Sequence, residues 1–163
     1  MTEIRHSNSA LSSTGFLTQA RCHAVLTKAG YITKSDLHSL TDLQSWFRQL
    51  CDRTDAKWAI VEGQVYRLNL ALAEGFTNAV RHAHADLPAE TAIEVRVALS
   101  YRDVEIQIWD AGRPFDPNSI EEPQPGTLCK GGYGWFLLRR LVDQVSYDRR
   151  GNRNCLRMRK SWT

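Results

Sequence analysis

The sequence predicts one α+β domain, a two-layer sandwich with a mixed or antiparallel sheet and helices on one face. Three observations carry that expectation. Residues 63–84 repeat apolar side chains at helical spacing, and residues 93–108 alternate apolar with polar ones across a short break. The elements also follow one another as strand, two helices, two strands, long loop, helix and two strands. A chain of 163 residues is long enough to bury a core without disulfides or metal. Its 42% hydrophobic and 24% charged residues are those of a soluble globular protein.

Residues 1–20 are rich in Ser, Thr and Asn and lack periodicity, so they read as a loose tail before a single domain over 21–163. Within "RCHAVLTKAG" (21–30) a short strand is expected. Residues 39–53 place Leu40, Leu43, Phe47 and Leu50 at three- and four-residue spacing, a helix for which Thr41 or Ser39 offers an N-cap. The second helix, 63–84, carries a stripe of Val65, Leu68, Leu72, Phe76 and Val80 with Ala79 beside it. Ile93, Val95, Val97 and Leu99, then Val104, Ile106 and Ile108, give an antiparallel hairpin turning at Ser100–Asp103. Residues 111–131 hold four of the five prolines and no pattern, which marks a functional or disordered loop. Helix resumes in "GWFLLRRLVDQV", with Phe136, Leu137, Leu141 and Val145 in register, and a last hairpin turns at Gly151–Asn152.

Bulk properties exclude several functions. A net charge of +3 is too mild to argue for nucleic acid, and Arg157 and Arg159 alternate with Leu156 and Met158 as surface strand residues do. No run reaches the ~18 apolar residues of a membrane span, and no secretory signal is evident. Cys22, Cys51, Cys129 and Cys155 lie far apart, which fits neither a zinc site nor a redox pair. A cytoplasmic protein with reduced thiols is expected.

Three places depart from what packing alone would select. Glu74, Asn78 and His82 stack at i, i+4 and i+8 among small residues, and Gly75 costs the helix about 1 kcal/mol relative to Ala. This face is either solvated, or a carboxylate and an amide oxygen aimed into a cleft, suited to a general base and to Mg²⁺. Gly75 would then admit a ligand or another element. Asp110 shares the parity of Ile106 and Ile108, so it points to the buried face, toward either a backbone amide of the next turn or a ligand's amine. "GGYG" (131–134), after Lys130, is either a flexible approach to a helix or a phosphate cradle of backbone N–H groups. No GxxxxGK[ST] loop is present.

Together these stretches resemble the GHKL (Bergerat-fold) ATP-binding superfamily, and within it the anti-sigma-factor serine kinases. "EGFTNAVRH" is similar to the E-x-x-x-N-A-x-x-H box, "DAGRPFD" to the first glycine box and "GGYGWFLLRRLVDQVSY" to the second, over roughly residues 20–161. The resemblance implies ATP and Mg²⁺. Asp110 would bond the adenine amino group, Gly112 would let the ring approach, and Asn78 would coordinate Mg²⁺ bridging the phosphates. Gly132 and Gly134 would offer N–H groups, His82 would support, and residues 113–131 would form a lid. Glu74 would orient or deprotonate the attacking hydroxyl. Pro114, Trp135 and Phe136 depart from the family pattern without removing a ligand. The implied partners are a STAS-domain antagonist and a sigma factor, with a homodimer through the first helix and the sheet edge. The alternatives are a nucleotide-responsive binding switch and, less well supported, the ATPase domain of a histidine kinase.

Overall fold

Why two hairpins and three helices make one layer on another is visible in the computed structural model, which describes residues 25–53, 62–116 and 133–162. Strands β1 (Val25–Lys34), β2 (Ala92–Ser100), β3 (Asp103–Asp110), β4 (Gln144–Arg150) and β5 (Arg153–Ser161) form a sheet in the order β1-β2-β3-β5-β4. All four neighbouring pairs are antiparallel. Helices α1 (Leu40–Arg53), α2 (Glu62–Asn78) and α3 (Tyr133–Leu141) supply the second layer. The expected α+β sandwich is found, with an antiparallel sheet.

The alternation in the hairpins sets which face is covered. Ile93, Val95, Val97 and Leu99 of β2 are buried, as are Val104, Ile106 and Ile108 of β3 and Leu156 and Met158 of β5. Burying each such side chain contributes roughly 1.5–3 kcal/mol. Against them α2 lays Leu68, Leu72 and Phe76, none with any exposure. A Cβ at Gly75 would sit 2.7 Å from Ile108 Cδ1 and 2.9 Å from Leu156 Cδ2. The glycine is therefore where the helix meets the sheet, and the neighbour it admits is another element.

Three local expectations shift. The first strand runs 25–34 instead of 21–30, because it is a sheet edge whose inward positions include Thr27, Ala29 and Thr33, while Ile32 is 71% exposed. The cap before α1 comes from Asp36 and not from Thr41 or Ser39: it accepts from His38 N at 3.0 Å, opening a 3₁₀ turn (Leu37–Ser39) that runs into the helix. α3 stops at Leu141, so Val145 belongs to β4 and the buried positions are Trp135, Leu138 and Leu141 rather than a Phe136–Leu137–Val145 stripe. The Arg67 guanidinium of α2 ends that helix by donating to the Arg140 carbonyl at 2.6 Å and the Leu141 carbonyl at 3.4 Å.

The closing turn is as expected. Gly151 has φ +60° and Asn152 does not share that sign, so the two-residue loop matches type II′, which wants glycine first. Arg157 and Arg159, on the uncovered face, pair with Glu105 at 3.5 Å and Asp103 at 3.0 Å across β3. No described helix is long and apolar enough to cross a membrane.

Candidate functional site

Two turns meet at the end of the sheet where β3 leaves it. α2 passes at Asn78 into a π-helical turn, Ala79–Ala83, closed by His84 N donating to the Ala79 carbonyl at 2.9 Å. Such wide turns re-aim the side chains that follow them and are frequent at functional sites. A Cβ on Gly112, just past β3, would collide with the Ala83 carbonyl. Glycine at 112 is thus demanded by backbone packing, whatever ring approaches it.

Asp110 is 3% exposed at the end of β3. Its Oδ1 accepts from Gly112 N at 2.9 Å and from Asn154 Nδ2 at 2.7 Å. Both bonds fall on one oxygen, so Oδ2 keeps its lone pairs among the described residues. The Asn154 amide, fully buried on β5, also donates to the Gly112 carbonyl at 3.1 Å, and its Oδ1 accepts from Arg149 Nη1 at 2.7 Å. Arg149 in turn donates to the Gly112 carbonyl at 3.2 Å. A buried carboxylate is costly unless hydrogen-bonded, and this network supplies the donors. Of the two partners foreseen for Asp110, the turn amide is present and a ligand's amine remains compatible with Oδ2.

His84 closes the same corner. Its side chain has no exposure, and Nε2 accepts from Ala111 N at 3.0 Å, 4.0 Å from Asp110 Oδ1. Burial lowers its pKa below the ordinary histidine range, against an opposing pull from Asp110.

The corner opens into a cavity of about 670 Å³, within the range of small-molecule sites. Glu74, Asn78, His82, Asp110 and Gly134 all line it. A Cβ on Gly134 would stand 3.0 Å from Glu74 Oε2 and 3.4 Å from both Asn78 side-chain polar atoms. Bare backbone at the start of α3 therefore faces a carboxylate and an amide, two sequence boxes brought to one wall, and Asp110 of the third lines the same cavity. His82 is exposed at the rim, since the π turn carries it away from the Glu74–Asn78 line. Gly132, Gly131, Lys130 and lid residues 117–131 lie outside the described residues.

A further wall is aromatic. Phe115 packs edge-on to Trp135 and Tyr147, with ring centroids 5.8 and 5.5 Å away. Burial first, and then the Asp110 charge, push the Tyr147 phenol up to about 12, so it stays protonated. Sequence reasoning missed Asn154, His84 and this wall. Asn154 could have been found, because it shares the buried parity of Leu156 and Met158. Nothing in the pattern distinguished His84 from His82.

The donor set suits a nucleotide with a divalent cation: an acceptor at one end, and an amide oxygen with unhindered backbone at the other. Among the described residues no group of three or more His, Cys, Asp or Glu is placed to hold a metal. A cation held at Asn78 would therefore draw most of its ligands from phosphate and water.

Residues 33–160 match the histidine kinase-like ATPase domain family. The chain belongs to that family. The serine-protein kinase RsbW of Oceanobacillus iheyensis is 36% identical over 92 residues, which are 50% of this chain and 56% of that one. RsbW of Bacillus pumilus is 34% identical over 100 residues, 55% of this chain and 61% of its own. The matched part thus spans a little over half the length of these relatives. The serine/threonine-protein kinase BtrW of Bordetella bronchiseptica is 30% identical over 128 residues, 71% of this chain and 81% of its own. A solved structure of the RsbU and RsbW domains of a Mycobacterium tuberculosis protein superposes with a TM-score of 0.58. It covers 84% of this chain and 33% of that one, and at 14% identity it supports the fold alone. The GHKL resemblance of the three boxes therefore holds at the level of the family, and the histidine kinase-like ATPase fold accounts for the sheet with its helical layer.

Proposed function

We propose that this chain is an ATP- and Mg²⁺-dependent serine/threonine kinase that acts as an anti-sigma factor in the cytoplasm. It would phosphorylate a STAS-domain antagonist and hold a sigma factor when that antagonist is unavailable. The single observation that carries the reading is the convergence of Glu74, Asn78 and Gly134 on one wall of a cavity that Asp110 also enters. The names of the RsbW and BtrW relatives support the reaction class.

Asp110 Oδ2 would accept from the adenine amino group, while Asn154 and Gly112 N hold Oδ1 in place. Asn78 would hold Mg²⁺ against the phosphates, where the cation supplies neutralisation of developing charge. The backbone at Gly134, with Gly132, would donate to phosphate oxygens. Glu74 would accept the proton of the partner's serine or threonine hydroxyl as its oxygen forms the new bond to the γ-phosphorus. The bond from that phosphorus to the bridging oxygen breaks, and ADP leaves with the electron pair.

Incubation with γ-labelled ATP, Mg²⁺ and a purified STAS-domain protein tests the proposal. Label should reach the STAS protein with the wild type and not with Glu74→Ala. Transfer unaffected by that substitution would remove Glu74 from the chemistry. Tight ATP binding without any transfer would instead make the protein a nucleotide-responsive switch.

A further inference from the structure

A backbone amide that ends on a histidine nitrogen ties the shape of the turn to one proton. Ala111 stands between Asp110 and Gly112, and its N–H donates to His84 Nε2 at 3.0 Å. A nitrogen that accepts that bond carries no proton, so His84 is neutral with its hydrogen on Nδ1. Nδ1 is buried and has no partner among the described residues. The histidine therefore makes one side-chain hydrogen bond, and that bond orients the peptide following Asp110.

Protonation cannot leave this arrangement intact. A proton on Nε2 would face the Ala111 N–H, and one of the two groups must move. The carboxylate beside the imidazolium is that of Asp110, whose Oδ1 is 4.0 Å away and already shared by Asn154 and Gly112 N. The other charged groups around the corner do not substitute for it. Arg149 of β4 is committed to Asn154 and the Gly112 carbonyl, Asp86 and Arg113 pair with each other at 3.2 Å in solvent, and His82 is exposed.

We propose that neutral His84 is a positioning residue for the Asp110–Gly112 turn, and that its protonation releases Ala111 and weakens nucleotide binding. The inference rests on the reading of Asp110 as the acceptor for the base. It goes further in making affinity for the nucleotide fall in mildly acidic solution through a residue that does not touch the ligand.

The test combines two measurements on the full chain between about pH 8 and about pH 4.5, a window that extends below the ordinary histidine range because burial lowers the His84 pKa. Nitrogen-15 NMR without nucleotide should show the Nδ1–H form of His84, and the Ala111 amide signal should move with the His84 titration. Calorimetric titration with Mg·ADP should show the wild-type Kd rising about fivefold toward the acid end, the size of one neutral hydrogen bond. His84→Gln presents an amide oxygen near the position of Nε2 and does not titrate, so its Kd should change less than about twofold over the same range. His84→Phe should bind weakly throughout; if it does not fold, the glutamine variant still decides. Equal acid sensitivity in the wild type and His84→Gln, or an Ala111 amide indifferent to His84, would overturn the inference. Absence of Mg·ADP binding at every pH, with the amide still following His84, would instead overturn the nucleotide reading beneath it.

Discussion

The two ends of the cavity are built by opposite means. At the Asp110 end a buried carboxylate, asparagine and histidine are tied to one another and to two backbone amides, with Asp110 Oδ2 left for a ligand. At the Glu74 end the carboxylate and the Asn78 amide are half-buried beside a bare backbone. A group that must recognise a fixed chemical edge benefits from being held still before the ligand arrives. Groups that must take a proton or share a cation need unspent valence. The contrast separates recognition from chemistry within one cavity, and substitutions at the two ends should fail in different ways.

The largest expected effect is at the committed end. Asn154→Ala removes donors from Asp110 and the Gly112 and Arg113 carbonyls and leaves a buried carboxylate short of partners. It should cost about 3 kcal/mol of stability in urea unfolding, with nucleotide affinity falling alongside. Glu74→Gln breaks the other end. Stability should stay within about 0.5 kcal/mol, and Mg·ATP should still bind, while phosphoryl transfer drops about a hundredfold in single-turnover assays.

Gly134→Ala sharpens the comparison, because its Cβ would press on Glu74 and Asn78 side chains that can give way. A loss of about 1 kcal/mol in nucleotide binding, without comparable destabilisation, is expected by calorimetry. The smallest effect is thermodynamic. His84 has a folded pKa below its unfolded value, so the unfolded chain binds more protons just under about pH 6.5. Stability should therefore be unaffected above that pH and decline as pH falls from there toward the folded pKa. His84→Gln should lose that component of the slope in thermal unfolding curves.

Much of this was legible in the sequence, and for identifiable reasons. The hairpins and α2 face a single core, so their periodicities survive in the choice of residues: Ile93 to Leu99 and Leu68 to Phe76 are buried as their spacing requires. β1 is an edge whose outward Ile32 and inward threonines blur the alternation, and its limits were misplaced by four residues at each end. The apolar spacing of α3 runs on into Val145 because strand β4 begins two residues after Val142 with its own alternation. Asp110, Asn78 and Glu74 stood out because polar side chains occupied positions that packing would have filled otherwise. The π turn left no such trace. It sets the difference between the exposed His82 and the buried His84, and only the backbone reveals it.

The division between the two ends is tested most directly by titrating Mg·ATP against Asp110→Asn and Glu74→Gln side by side, with circular dichroism as the check on folding. The account predicts that Asp110→Asn weakens binding at least about tenfold, the scale of a hydrogen bond to a charged group, while Glu74→Gln binds within about twofold of the wild type. Equal affinity in wild type and Asp110→Asn, or a loss confined to Glu74→Gln, would contradict it.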